Sequence, residues 1–191
     1  GNRPQIDFLA AEAGFAYSHI VTDKDQPYNI GAVSALPFTV LAEYGPKQGF
    51  ERGLLHLMLD NLEIHVLIAH LNAHDSVQRE VEAAIIASIV KTILRLESER
   101  EGKGGGRGAK VVVMGDLNTL SRWDSAEHRR QSLTSTLKRT DSPVWQRLAK
   151  KFLKGDSTGA VNYAPMDTLL AAGLHDSCVV ACRGQDYDPD Q

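Results

Sequence analysis

Val111-Val112-Val113-Met114-Gly115-Asp116-Leu117-Asn118 carries an apolar run of strand formers into a glycine, a carboxylate and an amide. The valines predict a strand. In a strand that continues through this point, residues two apart point the same way, so Asp116 and Asn118 aim together past the sheet edge. Two oxygen-bearing side chains then converge on one place. The competing reading is a plain polar exit from the strand, because Gly, Asp and Asn all favour turns.

Upstream, residues 77–96 place Val77, Val81, Ile85, Ile89, Ile93 and Leu96 every three or four positions, which predicts a helix packed on a sheet along that face. Asp75 can cap it, with Gln78 three residues on. Before the helix, the runs 52–59 and 62–71 are separated only by Asp60-Asn61, so an antiparallel hairpin with a short turn is expected. Ile64, Val66 and Ile68 share one face of its second strand, and His70, of the same parity, closes it. Further back lie strands over 15–21 and 30–35, the second limited by Pro37. A short amphipathic helix over 4–13, with Ile6, Leu9, Ala10 and Ala13 at helical spacing and Gly14 as its C-terminal cap, comes first. The glycine-rich run 102–108 follows a helix and opens a strand, the reverse of a phosphate loop, and reads as a linker.

Downstream, positions 122–154 hold nine Lys or Arg (122, 129, 130, 138, 139, 147, 150, 151, 154) against three acids (124, 127, 141). That surplus either draws an anionic substrate or membrane surface, or belongs to a solvated helical insertion, bounded here as 122–160. Ser142-Pro143 opens a helix with Trp145, Leu148 and Phe152 on one side, ended by Gly155. A further short helix over 165–172, closed by Gly173, turns Met166, Leu169 and Leu170 to a core. Cys178-Val179-Val180-Ala181-Cys182 suggests a strand, in which the two cysteines lie about 13 Å apart, too far to bond each other; buried thiols are expected, and the redox compartment stays open.

A chain of 191 residues with 42% hydrophobic and 24% charged residues suits one folded domain and excludes a disordered segment. No window approaches 18 uninterrupted apolar residues, which excludes a spanning helix, and no charged-then-apolar leader opens the sequence. A net charge of −3 does not mark a nucleic-acid binder. No internal repeat is present. Helices and strands mixed with hairpins favour an α/β sandwich with antiparallel or mixed sheets.

Four pieces occur in series: Tyr28-Asn29-Ile30-Gly31-Ala32-Val33-Ser34-Ala35-Leu36-Pro37, then Arg52-Gly53-Leu54-Leu55-His56-Leu57, then Val66-Leu67-Ile68-Ala69-His70-Leu71 with Arg79 entering a helix, then Gly-Asp-Leu-Asn. This succession, over about 28–176, resembles the endonuclease/exonuclease/phosphatase superfamily, the DNase I-like metal-dependent phosphoesterases. The resemblance implies a four-layer sandwich, two mixed or antiparallel sheets flanked by helices, and a single domain over 1–191 incomplete at both ends. It implies Mg²⁺ or Mn²⁺ with Asp116 and Asn118 as ligands, and a phosphodiester substrate, either nucleic acid or a phospholipid head group.

In-line cleavage of a phosphate ester needs an activated water, positive charge on the phosphoryl oxygens and stabilisation of the leaving oxygen. Asp116 can hold or deprotonate the water, and Asn118 can donate to a phosphoryl oxygen while its carbonyl accepts from water or faces a cation. Such oxygen ligands suit Mg²⁺ or Mn²⁺. His70, ending a strand near the same edge, contacts phosphate or shuttles a proton, or is a structural histidine. Arg52, Asn72 and Tyr28 are substrate-binding candidates beside it; a solvated strand-end arginine and turn chemistry are the alternatives for Arg52 and Tyr28. Arg79 is read as half of a structural ion pair, Asp167 as an ordinary helix-start acid and Asp176 as structural. The resemblance places the principal metal-binding Glu before Gly1 and a Ser-Asp-His ending after Gln191, so the chain reads as the middle of an enzyme and is expected to be inactive alone. A metal-dependent phosphodiesterase or nuclease is the leading expectation. A lipid head-group or inositol-phosphate hydrolase of the same fold, and an inert binding relative, are its rivals.

Overall fold

The computed structural model describes residues 3–21, 29–101, 109–139 and 141–183. Within them the chain is mixed α/β, with a two-stranded sheet, a four-stranded sheet and seven α-helices. Two compact units contain these elements. One comprises Gly1–Ala73 with Thr92–Asn118, the other His74–Lys91 with Thr119–Gln191.

The first unit opens with α1 (Arg3–Glu12), followed by the antiparallel pair β1 (Tyr17–Ile20) and β2 (Gly31–Ser34). Gly14 takes φ +71° past α1, where a left-handed residue lets Phe15 N–H reach the Ala10 carbonyl at 2.8 Å. Of the apolar positions expected to face inward on α1, Ile6 and Ala10 are buried but Leu9 is exposed.

The four-stranded sheet has the order β3 (Phe38–Tyr44), β4 (Leu54–Leu59), β5 (Ile64–His70), β6 (Lys110–Asp116). β3, β4 and β5 run antiparallel, and β6 lies parallel to β5. A parallel neighbour needs a crossover, and the connection runs through α2 (Ser76–Glu101). The hairpin pairs Leu59 with Ile64, so its turn spans 60–63 rather than two residues. Leu62 N–H bonds back to the Leu59 carbonyl at 3.1 Å and Glu63 takes φ +50°, which draws both out of the strand. β3 was not expected, although Phe38, Val40 and Ala42 alternate with Thr39, Leu41 and Glu43; a register shift between Val40 and Ala42 interrupts that period.

Ile64, Val66 and Ile68 do share a face. They join Leu55 and Leu57 of β4, Val40 of β3 and Ile30 and Ala32 at β2 in one apolar cluster, so both sheets contribute to the same core. Burial of this kind supplies about 25 cal/mol per Å² of apolar surface and is what fixes the strand register.

α2 contributes 76–91 to the second unit and 92–101 to the first. Asp75 Oδ1 accepts from the N–H groups of Val77 (2.9 Å) and Gln78 (3.1 Å), the expected cap. Its buried side meets the one read off the apolar spacing at Ile93 and departs from it elsewhere. Ala83, Ile86, Ala87, Val90 and Ile93 are buried, whereas Val77, Val81 and Leu96 are exposed. Two charged side chains on the buried side, Arg79 and Glu82, kept it from reading as apolar.

In the second unit Arg79, 1% exposed, donates to the backbone carbonyl of Lys151, and Asn162 Nδ2 donates to Glu80 at 2.8 Å. Burial pulls the Arg79 guanidinium down from its ordinary value, and Glu82, Asp75 and Glu80 push it back up. α3 (Ser125–Arg130), α4 (Leu133–Leu137), α5 (Pro143–Phe152), α6 (Ala164–Leu170) and α7 (Ser177–Arg183) complete it. Leu137, Leu153 and Val161 form one apolar cluster in it, with Leu148 and Phe152 of α5 packed against them. α5 stops at Phe152, before Gly155, because Leu153 is extended and bridges to Val161.

The cysteine segment is α7, not a strand, and Cys178 is exposed rather than buried. Asp176 Oδ1 accepts from the N–H groups of Cys178 (3.0 Å) and Val179 (3.3 Å), starting a helix that outweighs the strand preference of two valines. Among the described residues no helix is long and apolar enough to cross a membrane.

Candidate functional site at the ends of strands β5 and β6

The parallel register that pairs Ile64 with Lys110 runs to His70 opposite Asp116, so these two residues end neighbouring strands at one edge. His70 Nε2 lies 3.7 Å from Asp116 Oδ2, and the side chains are 28% and 62% exposed. Gly115 makes this approach possible. It takes φ +125°, and a Cβ there would lie 2.0 Å from the Ala69 carbonyl oxygen. The strand therefore demands glycine immediately before the acid.

The loop before β4 adds the positive charge. Arg52 Nη1 donates to His70 Nε2 at 2.6 Å. A guanidinium only donates, so this nitrogen accepts and His70 carries its proton on Nδ1 as a neutral imidazole. Arg52, not His70, is thus the cation at this edge. His70 can pass a proton through Nε2 only after Arg52 withdraws.

Asn118 is not on a continuing strand. β6 ends at Asp116, and Asn118 takes φ +49° with only 6% of its surface exposed. Asp116 Oδ1 accepts from Asn118 N–H at 3.0 Å, the local side-chain turn that aspartate favours. Asn118 Nδ2 donates to the Leu71 carbonyl at 2.8 Å, while Leu71 N–H bonds the Asp116 carbonyl at 2.9 Å. The acid and the amide are therefore joined around Leu71: one oxygen of Asp116 is occupied by the turn, and the other faces His70.

Asn72 is 3% exposed, and its Nδ2 donates to Glu51 Oε2. Consecutive residues Glu51 and Arg52 grip Asn72 and His70, two residues apart at the end of β5. In the sequence Glu51 is marked only by belonging to a charged pair separated by Gly53 from the buried Leu54-Leu55. Tyr28 lies outside the described residues.

This edge thus brings together His70, Asp116 and Arg52, with Asn118, Asn72 and Glu51 bound into its base. Among the described residues no three His, Cys, Asp or Glu side chains group closely enough to hold a metal ion. Asp116 is a hard oxygen donor of the kind Mg²⁺ and Mn²⁺ take, but this donor set does not by itself build a site for either ion.

In the second unit, three of the basic side chains of the 122–154 stretch are already paired. Arg122 binds Asp167, Arg130 binds Glu127 and Arg139 binds Asp141. Asp167 is therefore an ion-pair partner as well as a helix-start acid. Tyr163 completes a cluster, its hydroxyl 2.8 Å from His128 Nδ1 and its ring 5.3 Å beneath the Arg122 guanidinium. Comparison with protein-family models, with curated proteins and with solved structures finds no match to this chain.

Proposed function

We propose that this protein is a metal-dependent hydrolase of phosphoric esters, built on the endonuclease/exonuclease/phosphatase plan and acting on a phosphodiester. The observation that carries this reading is the convergence of Asp116, His70 and Arg52 at one sheet edge, from three segments that occur in the superfamily's order. The shared apolar cluster between a two-stranded and a four-stranded sheet supports a sandwich, and the four-layer form belongs to the proposal.

In this reading Asp116, open to solvent and held by its turn with Asn118, orients a water and takes its proton. Arg52 stabilises a phosphoryl oxygen, because a guanidinium stays charged and matches phosphate geometry. Asn118 and Glu51 position rather than react, since both are spent on fixing the ends of the strands. Asp116 is the residue here that would offer Mg²⁺ or Mn²⁺ a carboxylate oxygen, and an ion completed there by further donors would add positive charge at the phosphoryl oxygens.

Hydrolysis of bis(p-nitrophenyl) phosphate by the protein, with Mg²⁺ supplied, tests the proposal. Mg²⁺-dependent turnover is expected, with Asp116→Asn lowering kcat by about 10²–10⁴, the usual worth of a positioned base. Full activity in Asp116→Asn overturns the assignment.

A further inference from the structure

The opposite end and opposite face of the same sheet hold a second group of side chains that the hydrolase reading does not use. Cross-strand pairs share a face, and Met58 stands directly opposite His65 while His56 lies two residues back along β4 on that face. His56 Nε2 and His65 Nδ1 are 2.9 Å apart, with ring centroids separated by 5.1 Å. Met58 and His65 also line a cavity of about 620 Å³, together with Glu63, Glu97, Arg100 and Lys110. His56, 8% exposed, lies behind them.

The contact sets an N–H of one ring against the lone pair of the other. Two neutral rings meeting nitrogen to nitrogen share one proton between two lone pairs. Two imidazole nitrogens bound at about 2.0 Å to one three-coordinate ion lie about 3.5 Å apart, so an opening of roughly half an ångström turns the pair into a chelate. The third donor is a thioether on a flexible side chain.

We propose that His56, His65 and Met58 form a binding site for a soft monovalent metal ion, Cu(I), reached through the cavity beside Met58. Imidazole and thioether together select copper over magnesium, manganese or calcium, and the thioether selects Cu(I) over Zn(II). Charge argues the same way. Three neutral donors around a monovalent ion leave a single positive charge, opposed by the nearby Glu97 carboxylate, whereas a divalent ion would leave two on a largely buried face. On binding, the ion replaces the shared proton, which moves to the other nitrogen of the same ring, so no net proton is released. The site does not depend on the chemistry at Asp116.

Anaerobic titration of the full chain with Cu(I), in competition with bicinchoninate, tests this site. The expected result is one equivalent withdrawn by the wild type, at least a tenfold loss of affinity in Met58→Leu, and no withdrawal by His65→Gln. Imidazole ¹⁵N shifts should report coordination at two histidines in the wild type. Failure to compete with the chelator overturns the proposal, as do equal withdrawal by Met58→Leu and wild type, or tighter binding of Zn(II) than of Cu(I). Should His65→Gln not fold, the Met58→Leu comparison decides alone.

Discussion

Replacing Gly115 by alanine tests the geometry on which the candidate site rests. An alanine Cβ at this position would lie 2.0 Å from the Ala69 carbonyl oxygen, 3.0 Å from its carbon and 3.1 Å from its nitrogen. All three atoms are backbone of the adjacent strand, so no side-chain rotation relieves the overlap, and β6 must draw back from β5 by more than 1 Å. Lost with that movement are the last steps of the β5–β6 ladder, Ala69 with Gly115 and His70 with Asp116, and the bond from Leu71 N–H to the Asp116 carbonyl. Two or three backbone hydrogen bonds at about 0.5–1.5 kcal/mol each, added to about 1–3 kcal/mol for holding a Cβ-bearing residue at this φ, give a loss of about 2–7.5 kcal/mol. That is a large share of the roughly 5–15 kcal/mol by which domains are stable.

Urea denaturation of Gly115→Ala beside Gly14→Ala measures it. Gly14 also has positive φ, at +71°, but nothing lies within 4 Å of the added methyl. Its substitution reads backbone strain without the clash and should cost about 1 kcal/mol. A Gly115→Ala loss no greater than that of Gly14→Ala would refute the close approach of β6 to Ala69, and with it the juxtaposition of His70 and Asp116.

Two further outcomes follow from buried charge. Arg79→Ala should cost about 3–5 kcal/mol in the same assay, because it removes a buried cation and leaves Glu82, itself fully buried, without its i−3 neighbour; a loss below about 1 kcal/mol would mean the guanidinium is hydrated. His56 is held neutral down to about pH 4 in the fold but takes its proton near 6.5 when unfolded, so its contribution is complete above 6.5 and is lost as the pH falls through about 4. The difference amounts to about 3 kcal/mol at most, read as a fall in the urea midpoint of the metal-free protein between pH 7 and 4; an equal fall in His56→Gln would assign it elsewhere.

The elements legible in the sequence were those whose period agrees with their burial. β5 alternates cleanly, and its apolar face is the one that joins the core. α2 shows where this fails. Its length and cap were readable, but periodicity assumes that apolar residues mark the buried side. Here Arg79 and Glu82 are buried on it, alongside small residues such as Ala83 and Ala87 that carry little hydrophobic signal. In α7 local capping by Asp176 decided against the strand preference of Val179 and Val180, a contest that composition alone does not weigh.

The same limit explains what was and was not visible at the candidate site. That His70 and Asp116 each close a strand follows from the apolar runs that lead into them, which sequence displays. Their juxtaposition also needs β6 to pair with β5 in parallel, which only the tertiary fold displays. Asn118 was assigned to the open edge by extending the strand period two residues too far. The glycine that lets β6 approach Ala69 also begins the departure from strand geometry that Asp116 and Asn118 complete as a turn. In consequence the two polar residues of the motif divide their work. Asn118 spends its amide hydrogen on Leu71 and so holds the ends of β5 and β6 together, which leaves one oxygen of Asp116 available at the edge. Arg52 occupies the lone pair of His70 Nε2 and so withholds that nitrogen from base chemistry, which leaves Asp116 as the proton acceptor at this edge. In the hydrolase proposed above the carboxylate is therefore the base, and the histidine serves to hold Arg52 at the edge.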